Sequence, residues 1–395
     1  MGADKLRRTA VLCAVCGIVF AGNYAQYQVS AMAYAVIARL GLSSAQYSAL
    51  LLGPYIPAAL LGLVAGARAD KRGAWGMVIA GCAVSIAGAL LRVGAASFGR
   101  LMLASVCLGV APCVVNATAI KVLGPFYAER TDWAMGWFYA ASSAGIALSL
   151  STTALFASES AAYVFGAVLF AVFGLLWVCV GPRRAQAETR DDGALVGSSR
   201  AAFAAAGRVL TVWAVALMLG MAMAAATAYS GYLVADYETR MDPARAGLLA
   251  SMVTMGSIGG SVLGPWLRAR FADYRVFIVL SSAVGGALMV AGDLLSGSPS
   301  PGLMLAIGVA TAVAGPAVQS LPYLLPQVGP RFAGSAGGIV STVSLGLTFA
   351  IPVMLSGVFG EDYGVLMLAC AGVFAASAVL VTVLPRPADL LQPGE

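Results

Sequence analysis

The 395-residue sequence contains no histidine and very little charge. Without an imidazole, the chain has no histidine general base, no histidine metal ligand and no histidine pH switch. Only 10% of its residues are charged, against about 25% in an ordinary soluble domain. Hydrophobic residues make up 60%, the mean hydropathy is +0.89, and a soluble fold of this size could not bury so much apolar surface. The composition therefore predicts a polytopic membrane protein.

The positive net charge is not arranged as a nucleic-acid-binding surface. The formal net charge is +6, but the basic residues occur in short clusters between apolar runs, so they form no continuous basic face. The seven cysteines fall almost wholly within those apolar runs. Cys13 and Cys16 form a Cys-x-x-Cys pair, which would need a βαβ context to indicate redox chemistry. We expect no nucleic-acid partner, no cofactor and no metal.

Twelve apolar segments are long enough to cross a bilayer as helices. About 20 apolar residues span the hydrocarbon core, where the backbone must satisfy its own hydrogen bonds. The breaks between the segments contain charged residues, or glycine, serine and proline, as turns do. The predicted spans 1 to 12 cover about 10–37, 47–66, 75–95, 101–123, 133–156, 161–181, 208–235, 246–267, 275–296, 302–327, 333–358 and 363–384.

The longest polar interruption lies near the middle of the chain and divides the spans six and six. We predict an N-terminal six-helix bundle over 1–181, a cytoplasmic linker over 182–207 and a C-terminal six-helix bundle over 208–395. A shift of 199 residues aligns Ser43, before span 2, with Asp242, before span 8, and both are good N-cap residues. The predicted fold is all-α, with two pseudo-symmetric bundles.

The basic residues also predict an orientation in the membrane. With the N-terminus in the cytoplasm, eighteen of the 23 basic residues fall on the cytoplasmic side, as the positive-inside rule requires. An even number of spans then returns the C-terminus to the cytoplasm. We expect a multi-pass protein of the inner (plasma) membrane that functions as a monomer, with the lipid bilayer and a small-molecule solute as its partners.

The turn after span 2 carries a recognisable motif. Residues 66–73 have the sequence Gly-Ala-Arg-Ala-Asp-Lys-Arg-Gly. This resembles the signature G-x-x-x-D-[RK]-x-G-[RK] between the second and third helices of the major facilitator superfamily, with Ala74 in place of the final basic residue. The resemblance extends over the whole chain in architecture, namely twelve helices, a six-plus-six division and cytoplasmic ends.

The resemblance implies a gating role for this turn. In the family the loop is held to latch the cytoplasmic side in the outward-open state. The gating residues that it implies are Gly66, Asp70, Arg72, Gly73, Lys121 and Arg130. Among them, Arg72, Lys121 or Arg130 could pair with the Asp70 carboxylate.

A second stretch narrows the resemblance within the family. Residues 121–130, Lys-Val-Leu-Gly-Pro-Phe-Tyr-Ala-Glu-Arg, are similar to the junction of helices 4 and 5 in the organic-anion, cyanate and nitrate/nitrite branches. Pro125 and Tyr127 stand where those branches often have tryptophan and proline. This similarity implies a small organic anion as the solute.

Polar side chains within the spans predict a solute site near the bilayer midplane, between the two bundles. The clearest stripe lies on one face of span 1, where Asn23 and Tyr27 are four residues apart. Helix packing and aromatic belts at the membrane interface are the competing explanations for such residues. The predicted substrate-binding residues are Asn23, Tyr24, Tyr27, Gln28, Asn116, Trp137, Tyr229, Tyr232, Gln319 and Tyr323.

The placement of charge suggests how transport is driven. A proton relay normally uses a carboxylate deep in the membrane, whereas the 17 acids lie nearly all in loops or at span ends. Lys121 is the only cation expected within a span. We therefore expect a secondary transporter that moves a small polar organic solute by alternating access, through facilitated diffusion or exchange.

Three alternatives stay open. The solute could be a small carboxylate-type anion carried by an antiporter, or transport could be coupled to protons in a symporter. In a different class of function, the chain could be a membrane sensor that uses a transporter fold without moving a solute. An enzyme is not expected, because the sequence offers no carboxylate pair, metal cluster or nucleophile with its base.

Overall fold

A computed structural model describes residues 2–42, 44–183, 199–238, 243–294, 300–359 and 362–390. Across these residues the regular structure is helical and contains no strand. Most of the predicted linker, residues 184–198, lies outside the described residues. The predicted all-α class is therefore confirmed.

Within the described residues, seventeen α-helices follow one another along the chain. The first nine are α1 (Gly2–Ala31), α2 (Ala33–Leu40), α3 (Ser44–Leu52), α4 (Ile56–Arg72), α5 (Trp75–Leu91), α6 (Phe98–Leu108), α7 (Val110–Leu123), α8 (Thr131–Thr152) and α9 (Glu159–Val180). The others are α10 (Ser199–Gly207), α11 (Leu210–Glu238), α12 (Pro243–Arg268), α13 (Tyr274–Leu294), α14 (Pro301–Ala312), α15 (Gly315–Leu324), α16 (Gly329–Phe359) and α17 (Tyr363–Ala376).

These helices account for the twelve predicted membrane spans. Among the described residues, nine segments are long and apolar enough to cross a membrane, and α5 is a shorter apolar helix. The remaining two spans are α8 and α12, which have 22 and 26 residues and are rich in glycine and serine. Both exceed the roughly 20 residues that the hydrocarbon core requires.

Glycine and proline interrupt several of the spans. Span 2 consists of α3 and α4, separated by a 3₁₀ turn over Gly53–Tyr55. Span 10 consists of α14 and α15, and α15 begins with Gly315 and Pro316. Proline cannot donate a backbone hydrogen bond and restricts the residue before it, so both sequences favour a break in the helix.

The helices are grouped into two compact units. Unit 1 contains Met1–Ala128, Ala141–Ala206 and Pro330–Thr342, and unit 2 contains Glu129–Ala140, Gly207–Gly329 and Val343–Glu395. The first part of α8 therefore belongs to unit 2, and the first part of α16 belongs to unit 1. The domain boundaries at 181 and 208 stay a prediction.

Close backbone packing holds the helices together within each unit. In unit 2, Gly256, Gly260 and Gly264 of α12 recur every four residues, so they lie on one face of the helix. A Cβ atom at these positions would meet, in turn, the carbonyl oxygens of Leu305 and Val309 on α14 and of Val313, the residue after α14. Membrane helices associate through such close contacts because lipid provides no hydrophobic driving force between them.

Candidate gating and solute-binding sites

Asp70 is a buried carboxylate at the end of α4, with 5% of its surface exposed. Its Oδ1 accepts hydrogen bonds from Lys121 Nζ at 2.7 Å and from the Gly334 N–H at 2.9 Å. Its Oδ2 accepts a hydrogen bond from the Ser335 N–H at 2.6 Å. These charge-assisted bonds compensate the buried charge and join α4, α7 and the first part of α16 within unit 1.

Lys121, in the last turn of α7, binds the same part of α16. Its Nζ donates to the carbonyl oxygens of Pro330 at 3.4 Å and Arg331 at 3.3 Å. Those carbonyls lie four residues before the two N–H groups that bind Asp70, and an α-helix normally pairs such groups with each other. The Asp70–Lys121 ion pair therefore contacts both the donors and the acceptors of this turn of α16.

Four glycines allow α4 to approach α16 this closely. A Cβ at Gly66 would meet the Gly334 carbonyl oxygen and lie 2.9 Å from Gly338 Cα. A Cβ at Gly338 would lie 2.7 Å from the Gly62 carbonyl oxygen. The four-residue spacing on both helices matches the small-residue pattern of tightly packed membrane helices.

The other predicted gating residues differ in their surroundings. Gly73 ends α4 with a φ of 77°, a left-handed conformation that glycine adopts without strain, and so allows the turn into α5. Arg72 is exposed in the last turn of α4. Arg130, just before α8 in unit 2, lies over the Trp133 ring, 5.4 Å from its centroid. Of the three cations proposed for Asp70, Lys121 is the one bonded to it.

Three predicted solute-binding residues connect α1 to its neighbours in unit 1. The Asn23 Nδ2 donates to Ser142 Oγ at 3.0 Å, and the Tyr24 hydroxyl shares a hydrogen bond of 2.7 Å with Thr152. The Gln28 Nε2 donates to the Ala162 carbonyl at 2.6 Å. Tyr24 and Gln28 are only 3% and 1% exposed, whereas Asn23 is half-buried. Asn23 is thus the most accessible of the three.

Tyr27 belongs to a cluster of phenolic side chains that sequence reasoning did not find. It is half-buried and hydrogen-bonds to Tyr55, which also bonds to Gln26. Tyr47 bonds to Ser30, on the next turn of α1. The break at Gly53–Tyr55 was an available signal, because interrupted membrane helices often line solute sites.

Two further polar residues of unit 1 differ in their exposure. Asn116 is half-buried on α7, and its Nδ2 donates to the Pro112 carbonyl at 2.8 Å. Arg92, the residue after α5, is only 1% exposed, whereas the expectation that Lys121 is the only cation within a span stays a prediction. The Arg92 Nη2 donates to Ser105 Oγ at 2.9 Å, but its Nε has no hydrogen-bond partner among the described residues.

In unit 2, one predicted solute-binding residue of α15 is bonded to α8. The Tyr139 hydroxyl of α8 donates to Gln319 Oε1 on α15 at 2.6 Å. Tyr323, one turn further along α15, is buried. Trp137 is 44% exposed, and its ring lies edge-on to Trp133. Tyr139 was missing from the predicted set.

The two tyrosines of α11 bond within unit 2. The buried Tyr229 hydroxyl donates to the Met289 carbonyl of α13 at 3.0 Å. The half-buried Tyr232 hydroxyl donates to the Pro352 carbonyl at 3.2 Å and shares a 2.8 Å bond with Ser356. A role in solute binding stays a prediction for these residues and for the rest of the predicted set.

A buried ion pair on glycine-packed helices, within a bundle of membrane spans, points to the class of multi-pass membrane carriers. A model of the Major Facilitator Superfamily matches residues 14–351. Because the match covers most of the sequence, the chain belongs to this superfamily, and the resemblance drawn from residues 66–73 is confirmed.

Solved structures share this fold at low sequence identity. The chain is similar to the Escherichia coli fucose:proton symporter FucP, with 16% identity, a TM-score of 0.71, and 94% of this chain and 97% of that chain covered. It is also similar to the human organic anion transporter MFSD10, with 15% identity, a TM-score of 0.73, and 95% and 99% coverage. At such identities the likeness concerns the fold alone. No curated protein sequence gave a significant match.

Proposed function

We propose that this chain is a secondary transporter, not an enzyme, and that it moves a small polar organic solute by alternating access. Exchange or facilitated diffusion is the favoured mode, in the inner membrane, with both termini in the cytoplasm. The superfamily membership supports the class of protein. The observation that carries the proposal is the buried Asp70–Lys121 pair on the first part of α16.

This pair can act as a gate because its side-chain bonds to α16 can form or break while α16 stays helical. With Asp70 and Lys121 in place, side chains bind the Ser335 N–H and the Arg331 carbonyl. If α4 and α7 withdrew, the backbone groups could keep their partners within the helix that begins at Gly329. An element with two satisfied arrangements can switch between two states, which alternating access requires.

Uncharged hydrogen-bonding groups favour a polar solute. In unit 1 they include the half-buried Asn23, Tyr27 and Asn116. In unit 2 the Tyr139–Gln319 pair combines a phenol with an amide. We propose that these groups bind hydroxyl, amide or zwitterionic groups of the solute, and that Tyr55 joins them through its bond to Tyr27.

A small organic anion is the second candidate. Lys121 is the cation that the sequence offered for an anion, but its charge is compensated by Asp70 at 2.7 Å. Arg92 is the remaining cation for an anion, since it has no ion pair among the described residues, although its guanidinium donates to the Ala25 carbonyl at 2.6 Å and to Ser105 Oγ at 2.9 Å. MFSD10 is named as an organic anion transporter and FucP as a proton symporter, so both solute charge and proton coupling belong in the test.

Counterflow in proteoliposomes tests the proposal. Proteoliposomes that contain the purified protein are loaded with one unlabelled compound at a time, from a panel of sugars, amino acids and carboxylates. Entry of the same compound in labelled form is then measured with and without a pH gradient. We expect counterflow of a neutral or zwitterionic compound, unchanged by the gradient. Carboxylate exchange would support the second candidate, and accumulation driven by the gradient would show a proton symporter. The absence of flux for every compound would favour the membrane sensor.

Two variants locate the solute site. Asn23→Ala and Tyr27→Phe should each weaken the apparent affinity, because each removes a side-chain hydrogen-bonding group. The matched control is Tyr274→Phe, which removes a hydroxyl that donates to the Pro385 carbonyl at 2.6 Å. If the two site variants transported with the affinity of the control, the proposed site would be wrong.

A further inference from the structure

A groove on unit 2 is lined by the end of α12 and by α13 and α14. Its volume is about 560 Å³, within the roughly 300–1,000 Å³ of ordinary ligand pockets. The lining is apolar and includes Phe277, Leu280, Val284 and Val309. Its one polar residue, Ser281, donates its hydroxyl to the Phe277 carbonyl at 2.7 Å, so it has no hydrogen left to donate to a polar ligand.

The groove opens on the surface of helices that cross the membrane. Leu280 and Val284 are exposed, and both lie in the segment Tyr274–Leu294, which is long and apolar enough to span a bilayer. An apolar groove in such a place excludes polar solutes and favours a hydrocarbon chain. The apolar lining therefore matches a lipid tail.

A basic residue, Arg270, lies next in sequence to a residue that lines one end of the groove, although it is not itself part of the lining. Leu267 and Phe271 line this end, and Arg270 lies between them in the turn after α12. The Arg270 guanidinium lies 3.8 Å from the centroid of the exposed Trp266 ring. Arg270 is itself exposed and forms no ion pair among the described residues.

The neighbouring cations are already engaged. Arg275 pairs with Asp273 at 2.7 Å. Arg268 interacts electrostatically with Asp132 of α8, in the same unit. Among these three arginines, Arg270 is therefore the one without an acidic partner among the described residues.

We propose that this groove binds one anionic phospholipid, with an acyl chain along α13 and α14 and the phosphate against Arg270. Tryptophan and arginine are frequent at the level of lipid headgroups, and basic residues between membrane helices bind anionic headgroups. The positive-inside rule places this turn in the cytoplasmic leaflet, the one that attracts anionic lipids to basic segments. The binding site depends on membrane embedding and not on the identity of the solute.

Lipid titration of the full-length, delipidated protein in detergent tests the proposal, with native mass spectrometry as the readout. Dioleoylphosphatidylglycerol should bind at one saturable site, more tightly than dioleoylphosphatidylcholine. Arg270→Gln should weaken phosphatidylglycerol binding about fivefold. A basic residue near a lipid surface contributes about 1 kcal/mol, which corresponds to about a fivefold change in the dissociation constant. Arg386→Gln is the matched control, because Arg386 is exposed in unit 2 and is not part of the groove.

A second pair of variants tests the apolar part of the site. Ala306→Phe fills the groove and should abolish binding, whereas Ala287→Phe, on an exposed position of α13 outside the lining, should not. Glycerol phosphate should not compete, since it lacks the acyl chain. Equal binding of the two lipids, wild-type binding by Ala306→Phe, or displacement by glycerol phosphate would each overturn the proposal. Gel filtration of both variants verifies that they are folded.

Discussion

The α4–α16 contact of unit 1 and the α8–α12 contact of unit 2 share their packing but differ in their charges. In unit 1, Gly66 lies against the Gly334 carbonyl. In unit 2, a Cβ at Gly136 of α8 would lie 2.5 Å from the Ser261 carbonyl oxygen of α12. Both contacts therefore need glycine where two backbones meet.

The acids at the two contacts have different surroundings. Asp70 is buried and accepts three hydrogen bonds, one of them from a buried lysine. Asp132 is half-buried, accepts a hydrogen bond from the Trp133 N–H at 2.8 Å and faces the charge of Arg268. Close packing restricts the residue type directly, whereas charge can be placed wherever it is compensated. Of the two contacts, the one in unit 1 therefore contains the buried ion pair.

The largest effect is expected from Asp70→Asn. The substitution leaves Lys121 buried without its anion and presents an amide N–H₂ to a backbone N–H donor. Loss of one partner of a buried pair costs about 3–5 kcal/mol. We expect a strongly lowered thermal midpoint in detergent, and a fall in counterflow rate that exceeds the change in apparent affinity.

The same change at Asp132 is the matched control for Asp70→Asn. If the two variants lowered the thermal midpoint equally, the contrast between the two contacts would be wrong. A double variant, Asp70→Asn with Lys121→Met, sharpens the comparison, because it removes the orphaned charge and should recover part of the lost stability.

The next effect is expected from Gly66→Ala. The added methyl group would meet backbone atoms of α16, which cannot move as a side chain can, so we expect a loss of about 1–3 kcal/mol. Gly136→Ala should cost a similar amount in unit 2. Thermal unfolding in detergent measures both, with Gly76→Ala as the control because its Cβ would enter open space. A Gly66→Ala variant as stable as the control would contradict the close contact.

A smaller effect is expected from Asp132→Asn itself. Its carboxylate is half-buried and faces the charge of Arg268, and a charge interaction with partial solvent access is worth at most about 0.2–1 kcal/mol. The thermal midpoint should fall slightly at low ionic strength and hardly at all at high salt, because salt screens accessible charges. A large loss that persists in high salt would place Asp132 in the same class as Asp70.

The smallest effect concerns pH and the turn after α12. Hydrogen bonds from the Arg275 guanidinium hold the pKa of Asp273 below its ordinary value of 3.8. The resulting stabilisation is fully present above that ordinary value and is lost as the pH falls through the lowered pKa. Because the pair is partly open to solvent, we expect a small effect. Thermal midpoints between pH 3 and 6 should show it in the wild type and not in Asp273→Asn.

The Asp70 site shows how far sequence reasoning reached. The motif over residues 66–73 identified Asp70 and named Lys121 among three possible partners. It did not identify the N–H groups of Gly334 and Ser335, which lie 264 and 265 residues away along the chain. Backbone donors have no residue signature, so only the packing of α16 against α4 could reveal them.

The polar stripe on α1 shows a different limit. Helical periodicity placed Asn23 and Tyr27 on one face, and the structure leaves both half-buried. The flanking Tyr24 and Gln28 bond to α8 and α9 instead. Periodicity orders residues around a helix, but it does not state which neighbour each face meets. For the same reason, the contact between Tyr55 and Tyr27 could not be predicted from the sequence.

By itself, the sequence determined that this protein crosses a membrane with helices and which superfamily it belongs to, and it predicted twelve spans. Those properties depend on the apolar length of local segments and on one short motif, since a bilayer acts on each span separately. Only the tertiary structure decided that Asp70 meets Lys121 and α16, that Arg92 is buried, and that Arg270 stands at an apolar groove. Each of these depends on contacts between segments far apart along the chain, and such contacts form only when the helices pack.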